Sequence, residues 1–446
     1  MPFPLHSGIP EDSVMKAFRL IHWFLWPFLL PLIGSAWLFF PRARPHFRER
    51  LGLAGGRPGR EPCLLLHVAS LGEARAARPL IQRLASRVPL ILTTMTATGR
   101  EALTSAYPDI PVSLAPLDLP GLWIPFLSSR RVRAILLFET EVWPAMLLSA
   151  RSLRIPAGIV NGRLSTRSYG RYRKLGFLVR SLFSSLSPVL VSEERDRERF
   201  LGLGVKDESL RVTGNLKWDL ALPGPKDQKS QASLLAWLEK DKGDSGGPVT
   251  LLVGSSVHPK EALAIVSACL SARKKGYRIH PVLALRHLEA LPEFLGTLPP
   301  ETSPHLRTAG SGASSDNLSL PVYLLDTYGE LGWLLGEADV VFVGGTLDPV
   351  GGHSPVEAAC HGKPLLLGPH QDHIAALVEP LRKEGATREI ADASELEAAL
   401  ISLATSPESR QKLGAAARQV FERLGGPLDR TMEGLGPILS LFPESR

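Results

Sequence analysis

Charged side chains stand directly after several apolar runs that predict buried strands: Glu73, Glu139, Glu141 and Arg286. Open α/β sheets bind ligands outside the carboxyl ends of their strands, so these positions are the first to consider for chemistry. A carboxylate there can take the proton of an attacking hydroxyl, and general-base help contributes about 10²–10⁴ in rate. An arginine there suits a leaving phosphate, whose negative charge grows as the bond breaks.

Each carboxylate also has a structural interpretation. Glu73 follows Ser70 by three residues and fits a helix capping box as well as a general base. Glu139 and Glu141 are spaced as in a strand, so one is expected to position or catalyse and the other to be structural. Both interpretations stay open on these residues alone.

A basic stretch, Asn161–Lys174, follows another predicted strand. Its cations could bind phosphate groups, or they could form an ordinary solvated helix. They are Arg163, Arg167, Arg171, Arg173 and Lys174.

The run from Val340 to His370 predicts a buried strand, a glycine loop and a helix start. Glycine pairs allow backbone to approach a ligand closely, and Ser354 and Pro355 suit the N-cap and the first helical position. The free amides at such a helix start favour a phosphate. A tight turn between strand and helix is the competing interpretation. The carboxylate of Glu357 on that helix favours a ligand site.

Two more strand ends in this half carry polar groups, Ser255-Ser256 and Arg286-His287. Histidines recur nearby, but no HxH or HxxxH pair occurs among His353, His361, His370 and His373, and few carboxylates accompany them. We therefore expect no metal site and no cofactor.

The composition limits the class of protein. A chain of 446 residues exceeds one typical domain, and a net charge of +7 suits an anionic partner. The three cysteines lie far apart and predict free core thiols. No recognisable nucleic-acid-binding motif occurs, so we expect no nucleic-acid partner.

The N-terminus carries an uncharged stretch of 21 residues, Leu20–Phe40, which as a helix would be about 31 Å long, near the hydrocarbon thickness of a bilayer. Arginines follow at once and favour a cytoplasmic location for the rest of the chain. A cleaved signal peptide is the alternative. We predict a membrane anchor that spans or lies in the interface.

Alternating strands and helices predict two doubly wound parallel sheets. The sequence predicts four segments: an anchor with a basic juxtamembrane segment (1–50), a first domain (51–223), a linker (224–248) and a second domain (249–446). Two such halves with a central cleft suggest the GT-B architecture of glycosyltransferases.

Ordered motifs along nearly the whole chain resemble the 3-deoxy-D-manno-octulosonic acid (Kdo) transferases of lipopolysaccharide assembly. They include HVASLGE (His67–Glu73), TTMTATG (Thr93–Gly99), ETEVWP (Glu139–Pro144), NGRLSTRS (Asn161–Ser168), VTGNLKWD (Val212–Asp219), GSSVH (Gly254–His258), DTYGEL (Asp326–Leu331) and FVGGTLDPVGGHSPVE (Phe342–Glu357).

The resemblance implies a GT-B enzyme at the cytoplasmic face of the inner membrane. It would move Kdo from CMP-Kdo to an acylated, phosphorylated glucosamine disaccharide, the lipid A precursor, without a metal. Membrane lipid, donor and acceptor are its expected partners. The implied catalytic residues are Glu73 as general base, Glu141 and Arg286.

The expected substrate-binding residues in the first half are Ser70, Gly72, Glu139, Arg163, Ser165 and Arg167. In the second half they are Ser255, Ser256, His287, Gly329, Glu330, Leu331, Gly351, Gly352, His353, Ser354 and Glu357. The resemblance assigns the CMP phosphate to Arg286 and Gly329–Leu331, and the ribose to Glu357.

Several residues depart from the usual pattern of that family: Gly162, Val257, Lys260, Leu288, Ser354 and Val356. They lie mostly on the donor side and affect details of nucleotide contact. The alternatives are a GT-B transferase that uses a UDP-sugar and a non-catalytic relative that binds lipid A.

Overall fold

The computed structural model describes residues 46–53, 61–140, 142–219, 228–239, 249–309, 319–327 and 329–443. The chain divides into two compact units. Unit 1 comprises Met1–Asp219 and Gly426–Arg446, and unit 2 comprises Leu220–Gly425. The two-domain α/β prediction is confirmed. The predicted anchor, Leu20–Phe40, lies outside the described residues.

Unit 1 is built on one parallel sheet of seven strands with the order β3-β2-β1-β4-β5-β6-β7. The strands are β1 (Cys63–His67), β2 (Leu90–Thr94), β3 (Val112–Leu114), β4 (Val132–Phe138), β5 (Ala157–Gly162), β6 (Val189–Val191) and β7 (Leu210–Val212). Every residue of β1, β2 and β5 is buried. Such continuous burial is typical of parallel strands covered by helices on both faces.

The helices of unit 1 precede, connect and follow these strands. They are α1 (Phe47–Arg50), α2 (Leu71–Ala76), α3 (Arg78–Ala85), α4 (Ala97–Ala106), α5 (Pro120–Ser129), α6 (Pro144–Ser152), α7 (Thr166–Lys174), α8 (Gly176–Phe183) and α9 (Glu194–Gly202), with single 3₁₀ turns at Asp207–Ser209 and Leu216–Trp218. The sequence predicts one helix from Ser70 to about Ala85, whereas the structure divides it at Ala77, where α2 ends and α3 begins.

The short helix α1 is attached to the sheet of unit 1. The Glu49 carboxylate is 7% exposed and accepts hydrogen bonds from Arg100 at 2.8 Å and from the backbone N–H of Leu114 at 2.7 Å. Arg50 donates to the backbone oxygen of Ala115 at 3.0 Å. Residues 46–53 are therefore part of unit 1, although the division predicted from the sequence placed residues up to 50 with the anchor.

Unit 2 repeats the architecture with a second parallel sheet, in the order β10-β11-β9-β8-β12-β13-β14. Its strands are β8 (Thr250–Val257), β9 (Ile279–Leu285), β10 (Thr302–Leu306), β11 (Leu320–Leu324), β12 (Val340–Val343), β13 (Leu365–Leu367) and β14 (Thr387–Glu389). Apolar runs in the sequence predict strands at Val340–Val343 and Leu365–Leu367, and both match the observed bounds.

The helices of unit 2 are α10 (Gln228–Glu239), α11 (Pro259–Lys274), α12 (Leu291–Thr297), α13 (Leu331–Glu337), α14 (Val356–Cys360), α15 (Ala375–Lys383), α16 (Ala393–Thr405) and α17 (Pro407–Leu424), with a 3₁₀ turn at Leu288–Ala290. The core of this unit packs α11 and α16 against the sheet through Ile265, Phe342 and Leu400, among others. The cysteines are free and buried, as predicted.

The chain returns to unit 1 for its last helices, α18 (Pro427–Gly434) and α19 (Gly436–Leu439). Asp219 accepts the backbone N–H of Gly426 at 3.0 Å and also that of Leu428. Arg430 donates to the backbone oxygen of Thr213 at 2.9 Å. The structure thus differs from the predicted second domain 249–446, because these bonds hold the C-terminal segment on unit 1.

Candidate active site

The order of strands in unit 1 reverses between β1 and β4, and the loops after these two strands diverge at that point. Ligands of open α/β sheets bind at such a switch point. Residues Ser70–Glu73 follow β1, and Glu139 follows β4. The structure therefore brings these predicted residues to one edge of unit 1.

The Glu73 carboxylate is held in place by its own helix start. It accepts a hydrogen bond from the Ala69 N–H at 2.8 Å and from the Ser70 hydroxyl at 3.1 Å. The Ser70 oxygen in turn accepts the Glu73 N–H at 3.3 Å. Ser70 is therefore the N-cap of α2, as the capping-box interpretation predicts, but the Glu73 carboxylate accepts the N–H of Ala69 and not that of Ser70. Since Glu73 keeps part of its surface exposed, a general-base role stays a prediction for the same carboxylate.

Glu139 has a left-handed backbone conformation with φ of 59°, which is uncommon for a residue with a side chain. Strain of this kind costs about 1–3 kcal/mol and concentrates at functional sites. Next to it, the Thr140 hydroxyl and the Arg163 backbone N–H meet at 3.2 Å, which joins the loops after β4 and β5. Glu141, one of the predicted catalytic residues, lies outside the described residues.

His67, the last residue of β1, is fully buried below this edge. Its Nδ1 lies 3.0 Å from the Thr93 hydroxyl, and its ring meets Trp143 edge to face at 6.3 Å. Burial, with a smaller effect from the positive charge of Arg50, lowers the pKa of His67 to about 3. His67 is therefore a neutral packing group beneath the site.

The loop that carries Arg163 and Ser165 is fixed by helix α9. The Asp196 carboxylate, 3% exposed, accepts the Leu164 N–H at 2.9 Å. Arg199 donates to the backbone oxygen of Leu164 and to the Thr166 hydroxyl at 2.9 Å. The sequence did not reveal these two supports, because only the fold brings α9 beside the loop.

Helix α7 begins at this loop and is basic along its length. Ser165 is its N-cap and accepts the Ser168 N–H at 3.1 Å. No residue of α7 is buried, and Arg167, Arg171 and Arg173 are exposed. The helix therefore presents several cations to solvent, next to the edge that carries Glu139.

In unit 2 the strand order reverses between β8 and β12, so Ser255-Ser256 and Gly344-Gly345 come together. Ser256 has a positive φ of 54°. A Cβ atom on Gly344 would lie 2.2 Å from the Ser256 backbone oxygen, so a side chain at Gly344 is excluded. Gly344 is therefore required where the chain leaving β12 approaches the backbone of β8.

Three histidines and one arginine gather at the same edge. The Nε2 atoms of His258 and His353 are 3.1 Å apart, and their rings stack at 5.4 Å. His287 meets the His258 ring at 6.1 Å. Burial first, then the nearby positive charge of Arg286, lowers the pKa of His353 to about 4. The cluster is suited to an anion, which would supply the missing negative charge.

The helix after the glycine loop starts later than the sequence suggested. Pro355 is the N-cap, and Val356 is the first residue of α14. Ser354 still contributes, since its hydroxyl lies 3.4 Å from the Val356 N–H. Gly351 and Gly352 have φ of 100° and 86°, and a Cβ on either would clash with His373 or Ile374. Packing inside the protein therefore accounts for glycine at both positions.

Glu357 lies on α14 and is partly buried, and burial raises the pKa of its carboxyl. No hydrogen bond within the described residues uses this carboxylate. By contrast, Glu330 is engaged: it accepts from Arg307 at 2.9 Å and from the Thr327 hydroxyl. Gly329, at φ of 89°, and Leu331 flank it at the start of α13.

Glu261 and His258 lie at this site although neither is among the site residues predicted from the sequence. Glu261 is 1% exposed and bonds to the loop after β12, 84 residues away. Its spacing of three residues from His258 fits a capping box, and that was the only signal available. Across the described ranges, no group of three or more His, Cys, Asp or Glu side chains is arranged to hold a metal ion.

We expect His353 to titrate with a midpoint near pH 4 in the ligand-free protein, measured by NMR of its imidazole. Arg286→Gln should raise that midpoint, because removal of a neighbouring cation favours the protonated ring. A midpoint near the ordinary value of 6.5 would show that the ring is not buried against His258 and Arg286.

Comparison with known proteins is consistent with this geometry. A family profile described as 3-deoxy-D-manno-octulosonic-acid transferase (kdotransferase) matches residues 45–220. The solved structures of UDP-GlcNAc 2-epimerase from Neisseria meningitidis (TM-score 0.53, 14% identity, 84% of this chain and 99% of that one) and of a glycosyltransferase from Rickettsia africae (TM-score 0.52, 11% identity, 85% and 99%) share the fold.

Two curated relatives cover nearly the whole chain. The 3-deoxy-D-manno-octulosonic acid transferase of Haemophilus influenzae is 30% identical over 93% of this chain and 96% of its own length. That of Bordetella pertussis is 32% identical over 90% of this chain and 92% of its own. The chain belongs to the 3-deoxy-D-manno-octulosonic acid transferase family of glycosyltransferases.

Proposed function

We propose that this enzyme transfers Kdo from CMP-Kdo to a hydroxyl of a lipid A precursor, an acylated and phosphorylated glucosamine disaccharide, and releases CMP. The observation that carries the proposal is the Glu73 carboxylate, fixed by the Ala69 N–H and the Ser70 hydroxyl at the switch point of unit 1. A carboxylate held in this way can receive a proton without first reorganising.

In the proposed reaction, the acceptor hydroxyl oxygen bonds to the anomeric carbon of Kdo while the bond from that carbon to the CMP phosphate oxygen breaks. The electron pair of the broken bond leaves with CMP. The hydroxyl proton passes to Glu73, which later releases it to water. General-base help of this kind contributes about 10²–10⁴ in rate.

We assign donor binding to the switch point of unit 2. Arg286 and the pair His258–His353 would meet the negative charge that grows on the leaving phosphate. The carboxylate of Glu357, unused by hydrogen bonds within the described residues, would accept from the ribose hydroxyls. Since side chains supply the positive charge, the proposal requires no metal ion.

We assign acceptor binding to the loop after β5 and to helix α7. The acceptor carries phosphates, and Arg163 and Arg167 offer cations beside a loop that Asp196 and Arg199 fix. The fixed loop supports the assignment because guanidinium groups bind phosphate through two parallel hydrogen bonds, which requires a defined position.

We also propose that the enzyme works at the cytoplasmic face of the inner membrane. The support is the uncharged stretch Leu20–Phe40 followed by arginines. No helix within residues 46–53, 61–140, 142–219, 228–239, 249–309, 319–327 and 329–443 is long and apolar enough to cross a membrane.

Glu73→Gln should reduce Kdo transfer to a tetraacylated lipid A precursor by about 10²-fold or more, because an amide accepts no proton. The assay uses freshly generated CMP-Kdo with a chelator present. The matched control is Glu395→Gln: the Glu395 carboxylate accepts the N–H of Ala391 at 2.9 Å, as Glu73 does for Ala69, but lies exposed on α16.

Loss of transfer in the Glu73 variant alone, with both variants folded by circular dichroism, would support the base. Equal product from both would retain the reaction and reject Glu73 as its base. If the folded wild type makes no product, the same protein is tested with UDP-sugars, and turnover of one of them would overturn the proposed donor.

Arg286→Ala should raise the KM for CMP-Kdo by about tenfold or more and leave the acceptor KM within about twofold. A hydrogen bond to a charged group contributes about 1.5–3 kcal/mol, which corresponds to at least a tenfold change. Arg388→Ala, an exposed arginine on β14, is the control. Unchanged donor kinetics in the Arg286 variant would remove this residue from the site.

The full chain should stay in the membrane pellet after washes with concentrated salt and with sodium carbonate, whereas a variant without residues 1–40 should be released by salt. Protease should cut the chain in inverted vesicles but not in intact spheroplasts. Release of the full chain by salt alone would contradict the anchor, because surface charge would then suffice for attachment.

A further inference from the structure

The Glu261 carboxylate connects two segments that are distant in sequence. Its Oε2 accepts the backbone N–H of His258 at 3.0 Å and that of Gly345 at 2.8 Å. Its Oε1 accepts the N–H of Leu347 at 2.9 Å and that of Asp348 at 3.3 Å. The side chain is 1% exposed, so these bonds lie in the interior of unit 2.

The glycine loop after β12 therefore directs its amides into the protein. Glu261 accepts three of the loop's N–H groups, those of Gly345, Leu347 and Asp348. Two more are bonded to backbone oxygens: the Gly344 N–H to Ser255 at 2.9 Å and the Gly352 N–H to Gly345 at 2.7 Å. The His353 N–H donates to the backbone oxygen of Gly344 at 2.9 Å. A phosphate could bind these amides only if it displaced existing bonds, including those to a buried carboxylate.

The same bonds fix the two imidazoles that face the site. Glu261 holds the backbone of His258 directly. It holds Gly345 as well, and the neighbouring Gly344 bonds to the backbone of His353. His258 Nε2 and His353 Nε2 lie 3.1 Å apart, between the two segments that these bonds attach. The charged or titratable groups around this pair are Arg286, His287 and Glu261 itself.

We propose that Glu261 is a positioning residue of the donor site. It occupies the amides of the glycine loop and sets the His258–His353 contact, so that the negative groups of the donor are bound by imidazole and guanidinium side chains instead of loop amides. The proposal rests on the proposed function, since it identifies the groups of unit 2 that bind the donor.

Glu261→Gln tests the role directly. An NH₂ group would replace one carboxylate oxygen and face N–H donors, so bonds to the loop would be lost. We expect the KM for CMP-Kdo to rise about tenfold or more, with the acceptor KM at saturating donor unchanged within about twofold. The NMR titration midpoint of His353 should also move, because its contact with His258 changes.

The matched control is Asp339→Asn. Like Glu261, the Asp339 carboxylate accepts a backbone amide, the Leu251 N–H at 2.8 Å, but at the opposite end of β8. Both variants are expected to lower the melting temperature, and only Glu261→Gln should change donor KM and the titration of His353. Unchanged donor KM in a folded Glu261→Gln, or an equal change in both variants, would overturn the proposal.

Hydrogen exchange of the wild type decides the question even if Glu261→Gln does not fold. The bonded amides of this loop should exchange slowly without ligand and gain little protection when CMP is added; they are those of Gly344, Gly345, Leu347, Asp348, Gly352 and His353. Fast exchange that becomes slow with CMP would show that these amides bind the phosphate, and would overturn the proposal. If calorimetry shows no CMP binding by the wild type, the proposed function fails instead, and exchange in the free protein still decides the role of Glu261.

Discussion

Parallel hydrogen bonding between strands is the constraint on which both units depend. A parallel sheet must cross over after every strand, so its helices cover both faces and leave the strands buried. Polar side chains are then tolerated mainly where strands end. Glu73, Glu139, Ser256 and His258 stand at such ends, and each unit therefore gathers its reactive side chains on one edge.

Fixing these side chains requires polar groups beneath the edge. In unit 1, Asp196 and Arg199 hold the loop of Ser165, and in unit 2 Glu261 holds the glycine loop. A buried carboxylate destabilises the fold unless it is hydrogen-bonded. The carboxylates of Asp196 and Glu261 both accept backbone N–H groups. The left-handed conformations of Glu139 and Ser256 fit the same pattern, because surrounding bonds must hold a strained backbone.

The central strands could be predicted because they are continuous apolar runs, such as Leu90–Thr94 and Val340–Val343. The edge strands β10 and β14 were not predicted, because their sequences, TSPHL and TRE, are short and polar and resemble loops. Side-chain contacts could likewise be predicted only between residues that are close in sequence. Ser70 and Glu73 are close in sequence, so a cap was one of the two interpretations that their spacing offered, whereas the bond from Glu261 to Gly345 joins residues that only the fold brings together.

The prediction of a phosphate site likewise depended on contacts that the sequence does not show. A glycine pair followed by Ser354-Pro355 suggested amides open to a phosphate, but amide availability depends on partners elsewhere in the chain. Motif spacing carries no information about those partners. The family resemblance, by contrast, depends on many ordered motifs at once, and two relatives that cover 90% and 93% of the chain confirm it.

The return of the chain to unit 1 has a consequence for biosynthesis. Residues 426–443 are synthesised after the whole of unit 2, although their partners Asp219 and Thr213 lie in unit 1. A side of unit 1 that includes Leu190, which packs against Gly434, stays uncovered during that interval. A premature stop codon shortly after residue 425 would therefore damage the first-made half of the enzyme and leave unit 2 complete.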